Sequence, residues 1–327
     1  MPTPRPTSDL SADVVICAYT EDRWDMLGRA VASVQEQSTV PGQILVCIDH
    51  NEELYERCLE RWGATGATAQ PTVRVLRNRF AGRLGSARNT AVEQVEADVV
   101  AFLDDDAEAA PTWLETLLRV YRDHPGAVAV GGAPLPNHRI ERPGWFPPEF
   151  DWVFGCHYEG LPEQLAPVRH LIGASMSVRT DALWSVGGFH SDKHDDMDLS
   201  HRVAAAHGSE AVLYEPKAQI SHVVHAERLT WSYFWRRCYW INRSKVRAFH
   251  DMGDAGNITA ELQFARRMAG SLVRKLLRAL RGDTDALGQA AAIVAGLGAA
   301  GVGHLRGRLE LRLGRLPVSL TTGLEPR

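Results

Sequence analysis

Four short runs of β-branched and other apolar residues, at 14–18, 44–49, 73–78 and 99–103, punctuate the first hundred positions and read as buried strands. Between and after them, 24–37, 52–62, 86–95 and 112–123 carry apolar residues at helical spacing. Strand and helix in alternation predict an α/β fold with a mostly parallel central sheet flanked by helices.

In open parallel sheets, ligands sit beyond the carboxyl ends of the strands, so the residues that follow each run carry the most information about function. Here they are polar: Tyr19-Thr20-Glu21, Asp49-His50-Asn51, Asn78-Arg79 and Asp104-Asp105-Asp106. Four strand ends converge on one chemistry.

The stretch 134–167 is rich in Pro, Gly and aromatic residues and predicts a long excursion of the kind that shapes an acceptor site. Regularity resumes with a strand at 170–179, a helix at 181–186, the turn Gly187-Gly188, a helix at 197–206 and a short strand near Val212 that leads to His222. Beyond Arg228 the spacing is helical, with Leu262, Ala265, Met268, Leu272, Leu276 and Leu280 on one face and a row of Arg and Lys on the other. Residues 290–303 are uncharged but full of Gly and Ala, too short and too weakly apolar a stretch to predict a membrane span. The expected organisation is a disordered arm at 1–11, a catalytic domain at 12–250 and a helical C-terminal extension at 251–327.

Composition refines this only in places. Residues 1–227 hold 19 basic and 33 acidic side chains, whereas 228–327 hold 17 and 7, so the two parts face different partners. The basic part suits anionic lipid head groups or a phosphate-bearing acceptor, or else packs as a helix with its Arg face in water. No nucleic-acid module motif is present. Five cysteines without a C-x-x-C pair predict neither a disulfide framework nor a zinc site. The polar start of the chain has no apolar run of signal-peptide length, which makes cytoplasmic residence, with or without peripheral attachment to the inner face of the membrane, the expectation.

Asp104, Asp105 and Asp106 repel one another at the end of an apolar run, a cluster that a hard divalent cation, Mg²⁺ or Mn²⁺, would neutralise; a solvated acidic turn is the plainer alternative. Arg83, Gly85, Ser86, Arg88 and Asn89 open a helix where free N–H groups and guanidinium groups suit an anionic or heterocyclic ligand, or form an ordinary surface helix start. Asp195, Asp196 and Asp198 open another helix; one carboxylate suffices as a cap, and a second can take a proton from an acceptor hydroxyl. His222 and His225 follow a strand and can offer imidazole to a metal or merely occupy the surface.

In this order, Val15-Ile16-Cys17-Ala18-Tyr19-Thr20, Gly85-Ser86-Ala87-Arg88-Asn89, Phe102-Leu103-Asp104-Asp105-Asp106, Gly187-Gly188-Phe189 and Asp195-Asp196-Met197-Asp198-Leu199 with Arg202 resemble glycosyltransferase family 2. The resemblance covers about residues 12–250 and implies the Rossmann-like GT-A fold and an inverting, metal-assisted transfer from a nucleoside-diphosphate sugar, commonly UDP-linked. It further implies that Ala18, Tyr19, Thr20, Glu21, Asp49, Arg83, Ser86, Asp104 and Asp105 bind the donor nucleotide, and that Asp106, Asp104 and His222 hold the metal. Asp196 is the implied base, with Asp195 as the alternative, and Gly173, Ala174, Ser175 and Trp240 line the sugar and acceptor site.

The family often has Glu-Asp where this chain has Asp195-Asp196. The chain also lacks the Gln-x-x-Arg-Trp spacing of the processive synthases, having Arg236-Arg237-Cys238-Tyr239-Trp240 instead, which points to single-sugar transfer onto a small-molecule, glycan or lipid-linked acceptor. Self-association stays open. Two other readings compete: a sugar-1-phosphate nucleotidyltransferase, which would need a Gly-rich basic loop where the acidic Tyr19-Thr20-Glu21-Asp22 stands, and a non-catalytic nucleotide-sugar binding module.

Overall fold

The structure is a computed structural model that describes residues 10–63, 71–81, 83–190, 194–251, 258–315 and 323–324, without the side chains of 247–263 and 265. The expected disordered arm lies outside the described residues except for Leu10 and Ser11, and so do the side chains of Leu262 and Ala265.

The alternation read from the sequence is present. It runs β1 (Ala12–Ala18), α1 (Trp24–Gln35), β2 (Gln43–Ile48), α2 (Glu52–Cys58), β3 (Thr72–Arg77), α3 (Leu84–Val92), β4 (Val99–Asp104). These four strands lie parallel in the order β3-β2-β1-β4. The apolar runs of β2, β4 and, from Val14 onward, β1 are unbroken because both sheet faces are covered there, whereas β3, at the end of the strand order, is only partly buried and is interrupted by Arg74. Val14, Ile16, Ala101 and Leu103 face one core with Leu27, Val31 and Leu54 from α1 and α2. Val15, Cys47, Val100 and Phe102 face the other with Ala87, Ala91 and Val92 from α3.

Beyond β4 the sheet turns antiparallel, so it is mixed where the sequence predicts a mostly parallel one. After β5 (Ala107–Ala109) and α4 (Trp113–Asp123), the chain forms β6 (Ala129–His138), β7 (Ala166–Pro167) and β8 (Ser175–Arg179). It continues through α5 (Thr180–Ser185), α6 (Asp195–His207) and β9 (Val212–Val224). β8 pairs antiparallel with β4 and β6, and β9 with β5 and β7. A parallel neighbour needs a helical crossover, and the regular strand–helix alternation stops after α4. The stretch 134–167 is less irregular than its composition predicts, holding the end of β6, a 3₁₀ helix at Pro148–Phe154 and β7. Conversely, of 170–179 only β8 is strand, and the short strand near Val212 is part of a 13-residue one. Helix α5 ends on Gly187 and Gly188, whose φ angles of 78° and 70° are left-handed, the backbone that glycine adopts without steric cost.

Two compact units divide the chain at points other than the expected boundary near 250. One holds the chain as far as Leu135 with Pro162–His222 and the described residues 323–324, and contains most of the sheet; the other holds Pro136–Leu161 and 223–315. The second unit contains α7 (Trp231–Asp251), α8 (Ile258–Ala279) and α9 (Thr284–Arg312) around an aromatic core of Phe146, Phe150, Phe154 and Phe234 with Met268 and Ile293. The Gly-rich stretch of α9 is there because backbones meet: a Cβ on Gly303 would lie 2.2 Å from the Tyr239 carbonyl oxygen of α7, and one on Gly307 would lie 2.4 Å from that of Arg243. The sequence expectation about spanning needs correction at this helix. The uncharged stretch is part of a 29-residue helix whose best window has a mean hydropathy of 1.5, so by length and composition alone it is long and apolar enough to cross a membrane. Core helices of soluble proteins pass the same test, and a third of that window is buried by packing.

Candidate active site

Register brings the strand ends level. Ala18 pairs with Ile48, Ile48 with Arg77, and Cys17 with Asp104, so the polar residues that follow lie along one edge. Tyr19 is exposed there, and Thr20 caps the short 3₁₀ helix Glu21–Arg23 by accepting from the Asp22 amide. Ala18 is buried, its carbonyl accepting from the Asp49 amide. Asp49 is held by its neighbours: its Oδ1 accepts from Asn78 Nδ2 at 2.7 Å and lies 2.7 Å from His50 Nδ1. Asn78 is the hub, since it also donates to Ser86 Oγ and accepts from Thr90 Oγ1. Arg83 stands exposed before α3.

The aspartate triplet splits three ways. Asp104 remains partly open, whereas Asp105 and Asp106 are each 3% exposed. His222, placed by the pairing of β9 with β5, brings its Nε2 to 3.1 Å from Asp106 Oδ1 and 4.0 Å from Asp104 Oδ2. The ligand atoms of Asp104, Asp106 and His222 all lie within 4.8 Å of one another, and among the described residues they form a set able to hold a metal ion. Two carboxylate oxygens and one imidazole nitrogen fit a divalent cation, and the nitrogen favours Mn²⁺ over the strictly oxygen-seeking Mg²⁺. His225, just after β9, belongs to the other unit and is not part of this set.

Arg23, which the sequence reading passes over, lies against the triplet. Its Nη1 is 2.7 Å from Asp105 Oδ1 and 3.1 Å from Asp106 Oδ2. The protein's own guanidinium therefore already offsets the crowding for which the sequence reading invokes a cation. Burial nevertheless lifts the Asp105 carboxyl to about 7, against the pull of Arg23, and Asp106 adds to the rise. Asp105 is thus a buried support. Expected from the sequence at the nucleotide, it is 3% exposed and held by Arg23.

A second guanidinium joins the triplet to the other acidic cluster. Arg88, buried in α3, donates to Asp195 Oδ2 at 2.6 Å, to the Gly173 carbonyl at 2.8 Å and to Asp104 Oδ1 at 3.2 Å. It is neither a ligand-facing arginine nor an ordinary surface one. Asp195 is therefore committed, while Asp196, less buried, accepts from the Gly173 amide at 3.0 Å and the Met197 amide at 2.7 Å. Burial pushes both carboxyls above the usual aspartate range, against the Arg88 charge. Asn89 holds the adjacent turn, exchanging hydrogen bonds with the Phe189 backbone in both directions. Arg202 binds the Gly188 carbonyl and Asp198.

Two expected contacts are withdrawn by packing. Ser86 has no exposed surface and spends its hydroxyl on the Arg83 carbonyl and Asn78. Ser175 is equally buried and accepts from Trp113 Nε1, and Ala174 is buried in the core, whereas Gly173 lies against Asp196. Trp240 is half-exposed on α7, in the other unit.

The sheet order and the two carboxylate clusters at its edge define a glycosyltransferase of the GT-A class, and solved structures agree on the fold. A mannosyltransferase from Pyrobaculum calidifontis, solved with GDP-Man and Mn²⁺, superposes with a TM-score of 0.57 at 16% identity, covering 93% of this chain and 89% of that one. GalNAc-T7 with UDP, GalNAc and Mn²⁺ superposes with a TM-score of 0.51 at 15% identity over 79% of this chain, which spans about half (54%) of that one. Residues 13–187 match the model of Glycosyl transferase family 2. A glucosyl-dolichyl phosphate glucuronosyltransferase of Haloferax volcanii is 31% identical over 246 residues, 72% of this chain and 76% of its own length. The chain belongs to glycosyltransferase family 2 and is a glycosyltransferase.

Proposed function

We propose that the protein moves one sugar from a UDP-linked donor to a hydroxyl of a lipid-linked sugar, with inversion at the anomeric carbon. The observation that carries this reading is Arg88, which ties the loop bearing Asp196 to Asp104 of the metal-ligand set, so that base and leaving-group sites are held by one buried cation. The lipid-linked acceptor rests on the Haloferax relative, which is named for a dolichyl phosphate substrate.

In this reading Tyr19 offers its exposed ring to the nucleobase, and Glu21, Asp49 and Arg83 hold base and ribose. Asp104, Asp106 and His222 would hold a divalent cation, which would supply positive charge to offset that of the departing diphosphate. Arg23 keeps Asp105 and Asp106 from swinging apart. Asp196 takes the proton from the acceptor hydroxyl while two backbone amides fix its carboxylate, and attack from that side inverts the anomeric centre. The acidic residues after β1 disfavour the nucleotidyltransferase reading.

Calorimetry tests the metal. Chelator-treated protein should gain nucleotide affinity when Mn²⁺ is restored, and His222→Ala should weaken Mn²⁺ binding by at least about tenfold. No gain on restoring the ion would end the proposal. A thermal-shift screen of nucleotide sugars with Mn²⁺ reads the donor, because specific binding raises the melting temperature.

The pH profile tests the base. Burial holds Asp196 above the ordinary value of 3.8, so the base is protonated at a higher pH than a solvated aspartate. As pH falls, kcat/KM should drop along a limb displaced upward from that value. An acid limb at the solvated value would assign the proton to another group.

A further inference from the structure

The second unit presents an exposed apolar face. Helix α9 has its small residues on the inside and its bare apolar residues outside, the reverse of a surface helix on a soluble protein. Leu287, Val294, Val302, Leu305 and Leu309 recur at helical spacing and are each more than half exposed. No charged side chain interrupts them between Asp285 and Arg306. The opposite side is committed to packing, through Ala292, Ile293 and Gly303. From Leu287 to Leu309 the stripe spans 23 residues, about 33 Å at the helical rise. Helix α8 adds Val273 and Leu277, and Leu280 in the turn that follows it is 84% exposed.

Charge names the occupant. From Phe264 to Arg315 there are ten basic and three acidic residues. Arg274, Arg278 and Arg281 edge the apolar strip of α8, and Arg306, Arg308 and Arg312 edge the end of the α9 stripe, all exposed. An apolar strip bordered by arginines matches a bilayer's acyl–head-group boundary carrying anionic lipid. Trp235 and Trp240, half-exposed on α7, are side chains favoured at that depth.

We infer that α8 and α9 form a monotopic membrane-binding surface, lying in the head-group region of an anionic bilayer with the α9 stripe inserted. The helix lies along the surface because its inner side is already occupied. Crossing the bilayer would pull Gly303 and Gly307 away from α7 and break the Glu310 ion pair with Arg243, whose Nε donates at 2.7 Å.

Flotation of the full chain with phosphatidylcholine vesicles, with and without phosphatidylglycerol, tests this and makes no reference to catalysis, so its failure leaves the transfer reading standing. The chain should float with the anionic vesicles and be released from them by alkaline carbonate. Arg281→Glu with Arg308→Glu should weaken binding by at least about tenfold, and Val294→Glu with Leu305→Glu should abolish it. All four positions are exposed, so unchanged melting temperatures are expected and exclude misfolding. Four results would overturn the inference: no flotation, equal flotation of the glutamate variants, retention in carbonate as for a spanning helix, or a dimer in solution that Val294→Glu with Leu305→Glu dissociates.

Discussion

Asp196→Asn should lower kcat by about 10²–10⁴, the range supplied by a positioned general base, with nucleotide affinity left within about twofold. The amide keeps nearly the same volume and its oxygen keeps one of the two backbone donors, Gly173 N or Met197 N, while the other is left facing the new NH2 group, so a small loss of stability accompanies the loss of activity. What disappears is the proton acceptor. Asp195→Asn separates the two carboxylates, because Asp195 is spent on Arg88 and its loss should appear first as lost stability. Kinetics and calorimetry on both variants check the division of labour. An Asp196→Asn enzyme that keeps its turnover would transfer the role elsewhere.

The parts of the fold legible in the sequence are those where one local rule decides the outcome. β2, β4 and the part of β1 from Val14 onward stand out because burial on both faces leaves no polar residue inside the run. β9 does not: from Glu215 onward it alternates exposed Lys217 and Gln219 with buried Ala218 and Ile220, and Pro216 lies among them, so its length is set by its pairing partners. α9 hides for a related reason. Glycine weakens a helix in isolation, and only tertiary packing explains the buried ones, Gly303 and Gly307 against the backbone of α7 and Gly296 against the rings of Phe150 and Phe234.

The site divides the same way. Asp104, Asp106 and Asp196 are readable, since carboxylates after an apolar strand or at a helix start announce themselves. His222 is readable only through the family resemblance, because its approach to Asp106 depends on the pairing of β9 with β5. Arg23 lies in the charged turn Glu21-Asp22-Arg23, and nothing in its spacing says that it reaches residues more than eighty positions away. Ser86 and Ser175 mislead in the opposite sense. Small hydroxyl residues in a motif suggest ligand contact, but here their hydroxyls join the scaffold.

Arg88 is where scaffold and chemistry coincide, and Arg88→Met should cost about 3–5 kcal/mol, the penalty for leaving buried carboxylates without their cation. For a chain of this size that lowers the melting temperature by roughly 4–7 °C. The pH dependence separates charge from packing. Asp195 in the folded protein already titrates near 6, above its ordinary 3.8, because burial outweighs Arg88. A carboxyl raised on folding contributes stability that is present below the unfolded value and is lost as pH rises through the folded one. Without Arg88 the folded value climbs further, so the deficit of the variant should be larger at pH 8 than at pH 5, where protonation relieves the unpaired charge. Chemical denaturation at the two pH values measures this. An equal deficit at both would mean that the loss comes from the contacts of the guanidinium over the rings of Phe102 and Phe189, each 5.5 Å away, and that the ion pairs contribute nothing net.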